Sequence, residues 1–154
     1  MKFVLFMPTR ALKDPLILEG NDYLKRVRSP WGAQAHFINP KKAIHEDRAA
    51  QRIEAESQDL WQKSSGFYRI ALSDRGKKFS SEQFSCWLNN FSFGQPKIAF
   101  IIGGAFGLSE KIIHQCDAHL SLSDMTLPHR MAFLMLSEQI YRAYEIQRGS
   151  LYHK

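Results

Sequence analysis

The sequence contains few cysteines and no long hydrophobic run. Cys86 and Cys116 are its only two cysteines. They lie far apart and outside any Cys-x-x-Cys pair, which argues against a disulfide framework or a cysteine zinc site. Two buried, reduced thiols in a cytoplasmic protein fit better. No window approaches the ~20 apolar residues of a membrane span, and the apolar start at 1–8 is too short for a signal peptide. We expect one cytoplasmic domain over residues 1–154, without membrane contact.

Several signatures of catalysis and metal binding are also missing. There is no Gly-x-Ser-x-Gly motif, and neither cysteine has a reactive context, so nothing supports covalent catalysis. The chain has six histidines. However, His114, His119 and His129 lack the i, i+4 spacing of helical metal ligands, and no carboxylate stands at a ligand spacing. We expect no metal site.

Positive charge is concentrated in the N-terminal half. The net charge is +6, with 14 Lys and Arg against 9 Asp and Glu in residues 1–77, and 7 against 6 in residues 78–154. Such a basic flank suits a polyanionic partner such as RNA, although the charge could equally serve solubility. The basic residues form three clusters: Lys25, Arg26 and Arg28; Lys41 and Lys42; and Arg75, Lys77 and Lys78.

Hydrophobic patterning and capping residues predict five strand–helix units in one α/β domain. Helices are expected to begin after Asp14, at about Ala43, after Ser80, after Ser109 and near Arg130. The residues 73–76 are predicted to form a turn that ends the third strand. This alternation is typical of a mostly parallel sheet with helices on both faces. The strands are predicted at Lys2–Met7, Ala35–Asn39, Phe67–Leu72, Lys97–Ile102 and His119–Leu122.

The last predicted helix, ending at Gln147 before Gly149, is apolar around most of its circumference. A surface helix needs only one apolar stripe. Burial on two sides is therefore expected, either in a homodimer, which we favour for so small a chain, or within a single chain.

Two loops follow strands in the C-terminal half, where open α/β sheets bind ligands. The first contains Gly103, Gly104 and Gly107, whose spacing departs from the dinucleotide fingerprint; the glycines could instead form tight turns. The second, 121–127, alternates polar and apolar residues and could hold a planar heterocycle such as adenine between its backbone groups. Polar residues late in the chain could border this pocket: His129, Arg130, Arg142, Arg148, Tyr152 and His153.

Four ordered motifs resemble one known family. They are the Ile-Gly-Gly-x-x-Gly-Leu loop from Ile102, the Leu-Ser-x-Met-Thr-Leu-Pro-His loop from Leu122, the segment 138–143 and the Tyr-His-Lys ending. Together they resemble the ribosomal RNA large subunit methyltransferase H family of SPOUT methyltransferases, over the whole length of the chain. The resemblance implies a C-terminal trefoil knot, which general topology rules would exclude, and an obligate homodimer.

The resemblance also implies a reaction and its site. The family transfers a methyl group from S-adenosylmethionine to N3 of a pseudouridine, position 1915 of bacterial 23S ribosomal RNA, on the assembled ribosome. The cofactor-binding positions that it implies are Leu72, Gly103, Leu122, Ser123, Asp124, Met125, Thr126 and Leu127.

Transfer to an imide nitrogen requires that the nitrogen lose its proton. Arg142 is expected to stabilise the developing anion, His129 or His153 to accept the proton or position the base, and Tyr152 to hold the nucleotide. Two other functions stay open from the residues alone. A nonenzymatic RNA-binding module would bind RNA but no cofactor, and a nucleotide-dependent oxidoreductase would bind NAD.

Overall fold

The computed structural model describes residues 1–41, 49–91, 94 and 97–153. Within them, strands and helices alternate along the chain, and the last helix is followed by a 3₁₀ turn at Leu151–His153. The elements are β1 Lys2–Pro8, α1 Pro15–Arg26, β2 Gly32–Ile38, α2 Ala49–Lys63, β3 Tyr68–Lys77, α3 Ser81–Asn90, β4 Lys97–Ile101, α4 Glu110–Gln115, β5 Ala118–Leu120 and α5 His129–Gln147.

The five strands form one parallel sheet in the order β2-β1-β4-β3-β5. The prediction of a mostly parallel α/β sheet is therefore confirmed. Because all strands run in one direction, their carboxyl ends meet at a single edge. The loops that follow β3, β4 and β5 leave this edge side by side, which is where ligands bind in such sheets.

Helices cover both faces of the sheet, as predicted. Alternate residues of β1 point to opposite sides, so Phe3 and Leu5 enter one core and Val4 and Phe6 the other. The first core is closed by α1, α3 and α5, and the second by α2 and α4.

The predicted helix starts at Asp14, Ser80 and Ser109 are confirmed. The Asp14 carboxylate accepts a hydrogen bond from the backbone N–H of Leu16 at 3.0 Å, and Pro15 occupies the first position of α1. Ser80 and Gln83 form the reciprocal capping box at the start of α3. Local side-chain chemistry thus sets these three helix boundaries.

The prediction that a turn at residues 73–76 ends the third strand is wrong. β3 continues to Lys77, and both Leu72 and Lys77 pair with Leu120, so the intervening residues bulge from the ladder. The turn-forming composition reflects this bulge. Pairing resumes because the Lys77 carbonyl accepts a hydrogen bond from the Ser121 N–H at 3.0 Å.

The second helix buries two polar side chains. Its predicted start at Ala43 lies outside the described residues. In the described part, α2 buries Glu56 and Ser57 beside Leu60. Two of its buried positions are therefore polar, which an apolar pattern could not indicate.

The final helix lies between α1 and α3 on one face of the sheet. Phe133, Leu136 and Ile140 are fully buried. Intramolecular packing therefore covers much of the apolar circumference that suggested a dimer. Met131 and Met135, one turn apart, remain 47% and 39% exposed.

The two cysteines differ in environment. Cys116 is buried as expected, and burial raises the pKa of its thiol to about 11. The expectation that Cys86 is buried is wrong, because this residue lies on the exposed side of α3. Among the described helices, none combines the length and apolar character needed to cross a bilayer.

Candidate cofactor and substrate site

The end of β3 touches the beginning of the loop after β5. A side chain at Gly76 would place its Cβ 2.4 Å from the carbonyl carbon of Leu120 and 2.6 Å from the backbone nitrogen of Ser121. Only a glycine allows this backbone approach. The two loops therefore form one continuous wall of the sheet edge.

Two surface ion pairs connect the three loops. Arg75, in the β3 bulge, pairs with Glu110 at the start of α4, and Lys78 pairs with Asp124 in the loop after β5. All four side chains are well exposed, so each pair contributes little to stability. The contact places the Asp124 carboxylate against a cation at the mouth of the candidate site.

The glycine-rich loop after β4 is a tight turn. The Gly107 N–H donates to the Gly104 carbonyl at 3.1 Å, and Gly107 has a φ of +83°, a left-handed conformation that favours glycine. A Cβ at Gly103 would lie 2.3 Å from the Gly107 carbonyl carbon. This loop folds onto itself, which favours the tight-turn interpretation over a phosphate-binding dinucleotide loop.

The loop after β5 presents backbone groups at the edge of the sheet. Residues 122–127 belong to neither a helix nor a strand, and they make no backbone-to-backbone hydrogen bond with other described residues. Asp124 and Thr126 are exposed, and Met125 is 77% exposed. The Ser123 carbonyl accepts a hydrogen bond from the Ser121 hydroxyl at 3.0 Å, and the Met125 N–H donates to the Ser123 hydroxyl at 2.9 Å. The other backbone groups of this loop, beside an exposed thioether, suit the edge and face of a planar heterocycle.

The predicted cofactor-binding residues lie together at this edge. Leu72 pairs with Leu120 across β3 and β5, and Gly103 follows the end of β4, the strand on the other side of β3. Leu122 follows β5. The residues that the family resemblance implies for the cofactor therefore lie at the ends of three neighbouring strands.

A cavity of about 240 Å³ adjoins this edge. It shares Leu122 with the predicted cofactor residues and extends between α3 and α5, where Met135 and Gln139 line it. This volume lies slightly below the usual 300–1,000 Å³ of ligand pockets. The remaining lining residues are Phe79, Ser80, Ser81, Phe84, Leu120 and Ser121.

A buried carboxylate lies behind the glycine-rich loop. Glu56 Oε1 accepts hydrogen bonds from the Lys41 N–H at 3.0 Å and from Arg52 Nε at 2.9 Å. A Cβ on Gly104 would lie 2.5 Å from Glu56 Oε2. No sequence pattern predicted a buried carboxylate here, although the i, i+4 spacing of Arg52 and Glu56 on a helix is a visible signal for the ion pair.

Arg142 and Tyr152 are brought together by a residue without an assigned role, Glu138. Its Oε1 accepts hydrogen bonds from Arg142 Nε at 2.9 Å and Nη2 at 2.6 Å, and from the Tyr152 hydroxyl at 3.2 Å. The Arg142 guanidinium also lies 4.8 Å from the centre of the Tyr152 ring. The C-terminal 3₁₀ turn is thereby fastened to the second half of α5.

Both groups keep their protons in this arrangement. The hydrogen bond to Glu138 raises the pKa of Arg142, so its guanidinium stays cationic. Burial, followed by a hydrogen bond with Tyr23, raises the pKa of Tyr152 well above its usual value. Tyr152 is therefore a hydrogen-bond donor and Arg142 a fixed positive charge.

His129 lies at the opposite end of α5 from this pair. It begins the helix thirteen residues before Arg142, a separation of about 20 Å along the axis. Burial lowers the pKa of His129, and the neighbouring Arg130 lowers it further, so the imidazole is neutral at pH 7. In a single chain, His129 and Arg142 lie near opposite ends of α5, and their place around one pocket stays a prediction.

The other polar residues that were predicted to border the pocket contact different parts of the chain. Arg130 pairs with Asp14 at the start of α1, and the Arg148 guanidinium lies 5.2 Å from the centre of the Tyr144 ring. The backbone of His153 belongs to the 3₁₀ turn, and its side chain lies outside the described part of the structure. Among the described residues, no group of three or more His, Cys, Asp or Glu could hold a metal ion.

Comparison with known proteins identifies the family. The profile described as "Predicted SPOUT methyltransferase" matches residues 1–153. A protein of Bacillus cytotoxicus named ribosomal RNA large subunit methyltransferase H is 40% identical over 149 residues, 93% of this chain and 94% of that protein. A Bacillus cereus protein of the same name is 36% identical with the same coverage. The chain belongs to the ribosomal RNA large subunit methyltransferase H family.

Solved structures of other proteins have a fold similar to that of this SPOUT methyltransferase. A probable methylase family protein from Haemophilus influenzae has a TM-score of 0.58 over 99% of this chain and 70% of that one, at 15% identity. A probable methyltransferase from Bordetella pertussis has a TM-score of 0.56 over 93% and 95%, at 12% identity. At such low identities, these likenesses concern the fold alone.

Proposed function

We propose that this methyltransferase uses S-adenosylmethionine to methylate N3 of a pseudouridine, position 1915 of 23S ribosomal RNA. We further propose that it acts on the assembled ribosome in the cytoplasm. The observation that carries the proposal is the 40% identity, over 93% of the chain, with a protein named ribosomal RNA large subunit methyltransferase H. The basic N-terminal half supports an RNA substrate.

The residues at the sheet edge fit the proposed cofactor. Leu72, Gly103 and the segment from Leu122 to Leu127 would hold it, with backbone groups of this segment around the adenine. Apolar side chains at Leu122, Met125 and Leu127 suit a heterocycle better than a phosphate. When bound, S-adenosylmethionine supplies an electrophilic methyl group on a sulfonium. The chain contributes alignment and exclusion of water.

The groups around Glu138 suit the substrate side of the reaction. The Arg142 cation would stabilise negative charge on the pseudouridine imide as its N3 proton leaves. The Tyr152 hydroxyl would orient the base. His129, neutral at pH 7, or His153 would accept the proton.

A homodimer would let these groups act together. Because His129 and Arg142 lie about 20 Å apart along α5, their side chains cannot reach one base from a single chain. We propose that His129 of one subunit and Arg142 of the other complete each site. The exposed Met131 and Met135 on α5 supply apolar surface for such a contact.

We also propose the trefoil knot of the family for this chain. The close backbone crossing of Gly76 with Leu120 and Ser121 supports it. It is at this crossing that the β3 bulge meets the chain leaving β5.

The reaction is tested with methyl-labelled S-adenosylmethionine and ribosomes from a strain that lacks this modification. The proposal predicts label at a single pseudouridine of the large-subunit RNA, with more label on ribosomes than on free RNA. Label at another nucleotide would refute the proposed target while keeping the enzyme class. RNA binding without cofactor binding or label, beside a working control enzyme, would instead favour a nonenzymatic RNA-binding module.

A further inference from the structure

Aromatic and arginine side chains form a continuous series of contacts where the C-terminal ends of α1 and α5 meet. The series begins on α1 with Tyr23 and Arg26, continues on α5 with Tyr141 and ends at Tyr152 beside Arg142. We call these five residues the tyrosine–arginine platform. In the sequence, Arg26 stands out only as part of a basic cluster.

Ring and guanidinium distances define the platform. The Tyr23 and Tyr141 rings lie 5.8 Å apart, and the Tyr141 and Tyr152 rings 4.9 Å apart. The Arg26 guanidinium lies 5.3 Å from the centre of the Tyr23 ring and 5.9 Å from that of Tyr141. Arg26 is therefore held over two rings at once, and its ion pair with Asp22 one turn earlier fixes it further.

The platform is accessible and carries an excess of positive charge. The Arg26 side chain is 49% exposed, and Tyr23, Tyr141 and Tyr152 are each partly exposed. Lys25 and Arg28, which flank Arg26, are exposed as well. Two carboxylates contact platform residues, Asp22 and Glu138, and the basic residues outnumber them.

This combination matches the chemistry of unpaired RNA. Bases that are not paired stack on aromatic rings and on the planes of arginine guanidinium groups, and the neighbouring phosphates pair with cations. A guanidinium already oriented by two rings loses little freedom when a base stacks on its outer face. A duplex, whose bases are stacked within the helix, offers only its phosphates to such a surface.

We infer that the tyrosine–arginine platform binds unpaired nucleotides of the substrate RNA next to the nucleotide held at Arg142 and Tyr152. The inference rests on the proposed function, because it takes those two residues as the substrate side of the site. It adds α1 to the substrate-binding surface and assigns Arg26 the stacking contact, with Tyr23 and Tyr141 as its support.

Three variants separate stacking from charge. Arg26→Ala removes the guanidinium, Arg26→Lys keeps the charge but loses the planar group, and Lys63→Ala is the matched control. Lys63 is also an exposed cation in the last turn of a helix, but α2 packs on the other face of the sheet. Both positions are exposed, and thermal melts would verify that each variant folds.

The first readout is fluorescence anisotropy with a short fluorescein-labelled single-stranded RNA and with its duplex. Arg26→Ala should weaken binding of the single strand about tenfold, as expected from the loss of one stacked base. Arg26→Lys should recover only part of this loss, and Lys63→Ala should match the unchanged protein. Duplex binding, which depends on charge alone, should fall only slightly with Arg26→Ala and stay unchanged with Arg26→Lys and Lys63→Ala.

The second readout is methyl transfer to ribosomes together with calorimetric binding of S-adenosylmethionine. Arg26→Ala should raise the KM for ribosomes while leaving kcat and cofactor affinity unchanged. Full rescue by Arg26→Lys, or equal effects of Arg26→Ala and Lys63→Ala on the single strand, would overturn the platform. Failure of the unchanged protein to bind the cofactor would instead refute the proposed function, and the anisotropy result would still decide the platform.

Discussion

Three hydrogen bonds converge on one oxygen of Glu138, two from Arg142 and one from Tyr152. This oxygen joins α5 to the C-terminal 3₁₀ turn, and its negative charge strengthens every bond that it accepts. Tyr152 also hydrogen-bonds with Tyr23, but Glu138 is the carboxylate that both Arg142 and Tyr152 contact. At the scale of the residue, Glu138 therefore determines where the proposed substrate-binding groups point.

Glu138→Gln should lower kcat for methyl transfer by about tenfold or more, since a hydrogen bond to a charged group contributes about 1.5–3 kcal/mol. The amide keeps one acceptor but loses the charge that orients the guanidinium. Cofactor affinity, measured by calorimetry, should stay unchanged because the cofactor loops do not contact Glu138. Glu54→Gln, on the exposed side of α2, is the control. An unchanged kcat for Glu138→Gln would refute the positioning role.

Residue pairs on one helix could be found from the sequence, whereas contacts between distant segments could not. The i, i+4 spacing of Glu138 and Arg142 is visible in the chain. The contact with Tyr152 depends on how the chain turns after Gly149, which has a φ of +66°. The same limit hid the contact between Glu56 and Gly104, two residues from different elements.

At the scale of the element, the contact between α1 and α5 depends on a glycine. Gly20 is buried in α1, and a Cβ there would lie 2.5 Å from Cε1 of the fully buried Phe133 and 3.3 Å from Ser137 Oγ. Glycine is otherwise a poor helix former. Close approach of the two helices explains its presence in the middle of α1.

Gly20→Ala should destabilise the protein by about 1–3 kcal/mol, because a buried ring must move to admit the methyl group. This loss exceeds the helix-propensity gain of about 1 kcal/mol. Urea unfolding at equilibrium measures the difference. Gly32→Ala is the matched control, because nothing lies within 4 Å of its added Cβ. A Gly20→Ala protein as stable as the original would contradict the close packing.

Local signals predicted helix boundaries better than strand ends. Asp14, Ser80 and Ser109 each accept a hydrogen bond from a backbone N–H two or three residues later, and each precedes the first residue of a helix in the structure. The end of β3 depends on a partner far along the chain, because Lys77 pairs with Leu120 beyond a bulge. A composition typical of turns therefore misplaced it.

For the whole molecule, the order of the strands in the sheet could not be predicted from local sequence patterns. Alternating periodicity predicted a parallel α/β sheet, but nothing in it indicates that β4 lies between β1 and β3. That order brings the three loops of the candidate site to adjacent positions. The position of two loops after strands in the C-terminal half predicted a ligand pocket there, and the resemblance to the methyltransferase family added Leu72 and the identity of the cofactor.

The proposed dimer predicts complementation between two inactive subunits. A purified mixed dimer of Arg142→Ala and His129→Ala chains should contain one intact site, and should therefore show about half of the original activity under twofold symmetry. Each variant alone should be inactive as a homodimer. The mass in solution should be twice the 17.8 kDa of the chain. A monomeric mass, or an inactive mixed dimer, would contradict the shared site.

We propose that the loops at the ends of β3, β4 and β5 hold S-adenosylmethionine. Titration of the cofactor into isotope-labelled protein, followed by backbone amide NMR, would locate its binding site. The largest shifts should occur at Leu72, at Gly103 and from Leu122 to Leu127, while β2 and the C-terminal end of α2 stay unperturbed. No saturable shifts, or shifts concentrated on β2 and α2, would contradict it.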